Sequence, residues 1–255
     1  MYIDTHAHIY LDQFKDEYDL IIERCLAAKV TKVLLPNIDN DSMEKVFGLS
    51  RQFPDVCHPM VGLHPCSVQK EYQPQLDELK KHLDHESVIA VGEIGIDLFW
   101  DTSLHKEQEE AFRVQIEWAK EKDLPIVIHS RNSLEHTIRI VTEMQDGSLK
   151  GVFHCFGESK DEAQKIMDVG FYMGIGGVAT FKKTQALRDL IKETPITALL
   201  LETDAPYLTP APYRGKRNES SYIPYIAEVI AQAKGMDIEE VGRVTSENAR
   251  QLFKI

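Results

Sequence analysis

The chain has 255 residues, with 29 Lys+Arg against 41 Asp+Glu for a net charge of −12. With 43% hydrophobic and 27% charged residues it reads as a globular protein, and its length is that of one (β/α)8 barrel, typically about 250 residues. So acidic a balance excludes a passive DNA coat or a binder of anionic membranes, both of which need a basic footprint.

In chain order, short apolar runs rich in Val, Ile and Leu predict strands at Tyr2–His6, Lys32–Pro36, Pro59–Leu63, Val88–Glu93, Ile126–His129, Gly151–His154, Phe171–Ile175 and Ala198–Glu202. Their near-continuous hydrophobicity is that of parallel strands covered on both faces. Between and after them, amphipathic stretches predict helices at Glu17–Ala28, Met43–Gln52, Leu76–Leu83, Leu104–Lys122, Leu134–Met144, Asp161–Val169, Thr184–Lys192 and Tyr222–Lys234. Ile238–Phe253 adds one or two more. In Leu104–Lys122, Ala111, Val114 and Trp118 share one side and charges fill the rest. Strand–helix alternation repeated eight times predicts a single α/β domain over residues 1–255, a TIM barrel of parallel strands ringed by helices. An open doubly wound sheet is the alternative, but no Gly-x-Gly-x-x-Gly follows the first strand.

Four scattered cysteines, Cys25, Cys57, Cys66 and Cys155, form no Cys-x-x-Cys pair, so neither a disulfide scaffold nor a zinc ribbon is expected. Cys155 reads as a small packing residue. The opening Met1-Tyr2-Ile3-Asp4 lacks a signal-peptide layout, and no apolar run approaches the ~18 residues of a membrane span. A cytoplasmic protein without membrane contact is expected.

Barrel enzymes carry their reactive groups at the C-terminal ends of the strands, and here those ends are polar. The first finishes in Asp4-Thr5-His6-Ala7-His8, the fourth in Gly92-Glu93, the fifth in Ile128-His129, the sixth in Phe153-His154, and the eighth in Glu202-Thr203-Asp204. Residues i and i+2 of an extended chain point the same way, so His6 and His8 can reach one ion together; two solvated imidazoles are the plainer reading of that pair alone. His6, His8, Glu93, His129, His154 and Asp204 converging on one rim offer nitrogen and oxygen ligands for Mg²⁺, Mn²⁺ or Zn²⁺. Six ligands are too many for one open tetrahedral site but fit two ions if a carboxylate bridges them. Two metals roughly 3.5–4 Å apart activate a water and stabilise a leaving oxygen. A metal-assisted hydrolase follows.

At these residues, and in Gly62-Leu63-His64-Pro65, Gly92-Glu93-Ile94-Gly95, Ile128-His129-Ser130-Arg131, His154-Cys155-Phe156, Glu202-Thr203-Asp204-Ala205-Pro206-Tyr207-Leu208 and Arg214-Gly215-Lys216-Arg217-Asn218, the sequence resembles the TatD-type metal-dependent deoxyribonuclease family. The resemblance runs nearly end to end. It implies a binuclear centre bridged by Glu93, with His6, His8 and Asp204 completing one half and His129 and His154 the other; Asp204 would also take a proton from the attacking water. It implies DNA as a transient substrate, trimmed from single-stranded ends in the 3′-to-5′ direction. An ester or amide hydrolase, such as a D-aminoacyl-tRNA deacylase, keeps the same site and changes the bond. A non-catalytic metal-binding protein is the third reading, and a monomer is expected. Two departures stand out. Ile96 replaces the usual Leu, and Gly157-Glu158 replaces a common Ser-Gly, putting a carboxylate beside the mouth.

Further substrate contacts are expected from His64, Arg131, Arg214 and Arg217. His64 would donate to a phosphate oxygen or cap the Gly62–Pro65 turn, and Arg131 would grip a phosphate or be a solvated loop residue. Arg214, Lys216 and Arg217, with Tyr207 and Tyr213, form a basic-aromatic loop after Asp204, suited to a single strand or merely solvated. His58, His82, His85, His105 and His136 read as surface or core residues.

Overall fold

The computed structural model describes residues 1–255. Eight strands alternate with helices: β1 Tyr2–Asp4, α1 Tyr18–Ala27, β2 Val30–Leu35, α2 Met43–Gln52, β3 Cys57–Pro59, α3 Gln73–Lys80, β4 Val91–Asp97, α4 His105–Lys122, β5 Ile126–Arg131, α5 Leu134–Met144, β6 Gly151–Phe153, α6 Lys160–Asp168, β7 Tyr172–Ile175, α7 Gln185–Glu193, β8 Leu199–Leu201, α8 Ile223–Lys234 and α9 Ile238–Phe253. No helix is long and apolar enough to cross a membrane.

All strand pairs are parallel and run in sequence order, β1-β2-β3 and β4-β5-β6-β7-β8. Two seams close the ring. At the first, Ile89 N donates to Pro59 O, Val61 N to Ala90 O and Gly92 N to Val61 O, with Val61 bridging Val91. At the second, Thr5 N donates to Leu201 O, Asp204 N to His6 O and His8 N to Ala205 O, with Ala7 bridging Ala205. The barrel and its outer helices are those the alternation predicts.

The helices bury the stripes that their periodicity marks. On α7, Leu187, Leu190 and Ile191 fall at i, i+3 and i+4 and are all buried; each such side chain contributes about 1.5–3 kcal/mol by leaving water. Ser159 caps α6 in a reciprocal pair with Glu162. A separate apolar cluster joins Ile3, Leu34, Met60, Ala90, Val127, Val152 and Leu200, one from nearly every strand or its approach, with Ala249, Leu252 and Phe253 of α9. Helix α9 thus plugs the end of the barrel away from the polar strand termini.

Two strand assignments shift. The third run forms a strand over Cys57–Pro59 and continues through Val61 only as an isolated bridge to Val91, because just beyond it side chains take the backbone groups: Asn37 Nδ2 donates to Gly62 O at 2.8 Å, and Leu63 N donates to Gln115 Oε1 at 2.7 Å. The fourth begins later and runs on to Asp97, so Glu93 lies inside β4 and not at its end. Gly95 allows this extension. It pairs with His129 at φ +142°, and a Cβ there would sit 2.0 Å from His129 O. The ladder then carries on through Ile96 with Ser130 and Asp97 with Arg131.

Candidate metal centre

The polar mouth of the barrel is a cavity of about 740 Å³ lined by, among others, His8, His64, Glu93, Asp97, His129, Arg131, His154 and Asp204. Glu93 is its hub. Oε2 lies 3.2 Å from His6 Nε2 and 3.4 Å from His8 Nε2. Oε1 lies 2.8 Å from His129 Nδ1, 2.9 Å from His154 Nε2 and 3.4 Å from His64 Nε2. Asp204 Oδ1 stands 3.6 Å from His8 Nε2 and 3.9 Å from His6 Nε2. All six residues expected to converge do so.

Neighbours fix which nitrogen three of the imidazoles present. Tyr10 gives its hydroxyl proton to Pro36 O at 2.7 Å, so at 2.9 Å it must accept from His8 Nδ1, leaving a lone pair on His8 Nε2. His129 Nε2 donates to Asp97 Oδ2 at 2.9 Å, turning Nδ1 toward Glu93. Carboxylate-oriented imidazoles of this kind are the usual outer support of a metal ligand. His64 is set the other way. Its Nδ1 accepts from Cys66 N at 3.1 Å, so the neutral ring points an Nε2–H into the mouth. That makes His64 a donor to an anion, and it caps the Pro65–Ser67 turn as well.

The nitrogens fit a metal. His6 Nε2 and His8 Nε2 are 3.3 Å apart, as are His129 Nδ1 and His154 Nε2. A tetrahedral ion with Zn–N-type bonds of about 2.0–2.1 Å sets neighbouring nitrogens roughly 3.3 Å apart. The electrostatics point the same way. Burial pushes the His6 imidazole well below its ordinary range, with His154 adding to the effect, so it stays neutral. Burial also opposes charge on His129 and His154, but Asp97 and Glu93 beside the first, and Glu93 and Glu202 beside the second, outweigh it and raise both. Those carboxylates call for positive charge, which a divalent ion supplies as well as protons do. Burial would raise Glu93 too, yet His154, His64 and His6 hold it well below the usual carboxylate range. Asp204 differs: burial pushes it up to about 6 against the pull of His154 and His8.

Residues beyond the expected set complete the support. Asp97 and Tyr10 were not legible as partners, although Asp97 stands in the Gly92–Asp97 stretch. Asp4, buried, accepts from Thr203 N at 2.9 Å and from His6 N at 3.3 Å, tying the end of β1 to the segment after β8. Glu202 accepts from Cys155 N and stands 3.7 Å from His154 Nδ1. Outside the mouth, His136 bridges His105 and Glu109 at 2.8 Å each, between α4 and α5.

Among the expected substrate contacts, His64, Arg131 and Tyr207 line the cavity, and Glu158 does so too. Arg214 and Arg217 are not brought there. Arg214 lies over the Phe181 ring at 3.8 Å and donates to Thr209 O at 3.1 Å, while Arg217 pairs with Glu17 at 2.9 Å and covers Phe14. Tyr213 stacks on Tyr222, and Lys216, exposed, lies over the Tyr213 ring at 5.5 Å. Closeness in sequence to Asp204 was a poor guide, because the loop folds back over the approach to α1.

Comparison with known proteins agrees with this geometry. The family model for TatD related DNase matches residues 3–254. The Bacillus subtilis protein YabD, described as an uncharacterized metal-dependent hydrolase, is 39% identical over 255 residues, covering 100% of both chains. A Dickeya dadantii protein described as 3′-5′ ssDNA/RNA exonuclease TatD is 33% identical over 98% of this chain and 97% of its own. The crystal structure of the TatD homolog YjjV from Escherichia coli superposes with a TM-score of 0.94 at 28% identity, covering 100% of this chain and 98% of that one. A buried carboxylate set between two pairs of imidazoles at the mouth of a parallel barrel, and a family match over almost every residue, lead to one conclusion: the chain belongs to the TatD related DNase family.

Proposed function

We propose that this protein is a phosphodiesterase working with two divalent ions, and that it removes nucleotides from the 3′ end of single-stranded DNA. The carrying observation is the division of Glu93, one oxygen toward His6 and His8 and the other toward His129 and His154. His6, His8 and Asp204 would hold one ion, His129 and His154 the other, with Glu93 shared. When bound, the ions would lower the pKa of a water and neutralise charge on the phosphoryl oxygens. Asp204, whose Oδ1 stands 3.6 Å from His8 Nε2 and 3.9 Å from His6 Nε2, is placed to accept a proton from the attacking water. The Nε2–H of His64 and the Arg131 guanidinium face the same cavity and are donors for the non-bridging phosphate oxygens. The name of the Dickeya relative supports a 3′ end of a single strand as the substrate.

The test strips the protein with a chelator, restores Mg²⁺, Mn²⁺ or Zn²⁺ separately, and offers 5′-labelled single- and double-stranded DNA. A metal-dependent ladder shortening from the 3′ end of the single strand is expected, absent in Glu93→Ala. Undiminished cleavage by Glu93→Ala overturns the proposal. Turnover of a D-aminoacyl-tRNA ester without cleavage of DNA would move the reaction to an acyl carbon.

A further inference from the structure

Trp100 is 72% exposed, the most exposed large hydrophobic side chain of the protein, and Phe99 beside it is 50% exposed. Both rings sit on the loop leaving β4, and Trp100 lines the cavity that holds Glu93. Leaving an indole in water at a polar mouth has no stabilising purpose for the fold. The loop itself is well anchored: Asp97 Oδ1 accepts from Phe99 N at 2.9 Å and from Trp100 N at 3.3 Å. The carboxylate that orients His129 therefore also fixes the aromatic loop relative to the metal ligands.

The guanidinium carbon of Arg131, at the end of β5, lies over Phe99 at 3.7 Å from the ring centre and 5.3 Å from that of Trp100. Every other arginine guanidinium in this acidic chain has an ion-pair or hydrogen-bond partner; that of Arg131 has none. A guanidinium held on an aromatic face keeps its in-plane N–H donors directed outward. Tyr207, 51% exposed, lines the cavity from the segment after β8. In a ring of strands ordered one to eight, β4 and β8 face each other, so Trp100 and Tyr207 rise from opposing sides of the mouth.

We infer that Trp100, with Phe99 behind it and Tyr207 across the mouth, is a stacking site for an unpaired nucleobase, and that Arg131 takes the phosphate attached to it. Protein sites for single strands combine cations on the backbone with rings under bases, and the stacking is indifferent to sequence. In a duplex both faces of a base are covered by its neighbours, so only a frayed or single-stranded end can present one. The site supplies a physical reason for single-strand preference that the metal ligands do not. This inference rests on the nucleic-acid reading above, but its test reads binding, not cleavage.

The chain has two tryptophans, and Trp118 is buried in α4 at 3% exposure, so a change in emission on adding an oligonucleotide reports Trp100. The probes are a phosphorothioate thymidine pentamer and an abasic pentamer of equal length, titrated into full-length protein in Mg²⁺. The thymidine oligomer is expected to quench the exposed emission and the abasic one to leave it unchanged. Trp100→Ala should weaken thymidine binding about tenfold or more, the scale of one stacked base, with little change for the abasic oligomer. Trp100→Phe should lose the quenching yet recover most of the affinity. Equal affinity for the two oligomers, or quenching that persists in Trp100→Phe, overturns the inference. Base-dependent quenching without any cleavage of DNA would sink the proposed reaction and leave this site standing; cleavage with no base dependence would do the reverse.

Discussion

At the scale of single residues, the mouth shows how an imidazole is committed to a role by what touches its far side. Tyr10 and Asp97 turn His8 and His129 into lone-pair donors, while Cys66 N turns His64 into a proton donor. Asp97→Ala should therefore lower metal affinity by about 10–100-fold, the usual effect of removing the outer partner of a liganding histidine; isothermal titration with Mn²⁺ and Zn²⁺ checks it. Tyr10→Phe leaves His8 Nδ1 buried without a partner, at a cost of about 1–3 kcal/mol, read as a lower denaturant midpoint. The six residues expected to converge on the mouth were legible because each closes or follows an apolar run, and that change of polarity singled them out. Their supports were not. Asp97 becomes a neighbour of His129 only because β4 runs on past Glu93, and Tyr10 lies beyond any periodicity.

At the scale of elements, β4 and β5 set the geometry, and their close approach depends on Gly95. Gly95→Ala forces a methyl against His129 O at a φ that L residues avoid. A loss of several kcal/mol, or of soluble protein altogether, is expected by thermal melting. Gly157→Ala, where a Cβ meets nothing within 4 Å, is the neutral control. Strands β2 and β3 carry a pH-dependent contribution of their own. Lys32 Nζ lies 3.0 Å from His58 Nε2, and burial, with Lys32 adding to it, brings the His58 imidazole down to about 4. In the unfolded chain the same group titrates near 6.5. Between those values the unfolded state binds more protons, so the contribution is whole above pH 6.5 and is lost as pH falls toward 4. His58→Gln should flatten the difference between denaturant midpoints at pH 7.5 and pH 5. Helix positions followed from apolar spacing, whereas strand ends did not, since Asn37 and Gln115 side chains terminate β3 from afar.

At the scale of the whole molecule, strand–helix alternation made the barrel legible, but not its seams, the second of which depends on pairings across most of the chain. Nor could linear order reveal that the two arginines of the basic loop after Asp204 are engaged by Glu17 and by backbone carbonyls. With a net charge of −12 and Arg131 the one Arg or Lys lining the cavity, binding of DNA should be weak. Metal should stabilise the fold by mass action, about 2.7 kcal/mol at a concentration 100 times Kd; in a chain of this size that raises Tm by several degrees. Glu93→Ala should lose most of that rise in a thermal shift series with Mg²⁺, Mn²⁺ and Zn²⁺. The second seam has a consequence for how the protein is made. Asp4 is held by Thr203, 199 positions later, and His6 faces Asp204 from the far end of the chain. A nascent chain emerging from the ribosome exposes His6 and His8 long before Asp204, one of the two carboxylates that face them. The ring cannot close, nor the residues of the mouth assemble, until the segment after β8 is released. A hydrolase ordered in this way has no complete mouth in any fragment that stops short of Asp204.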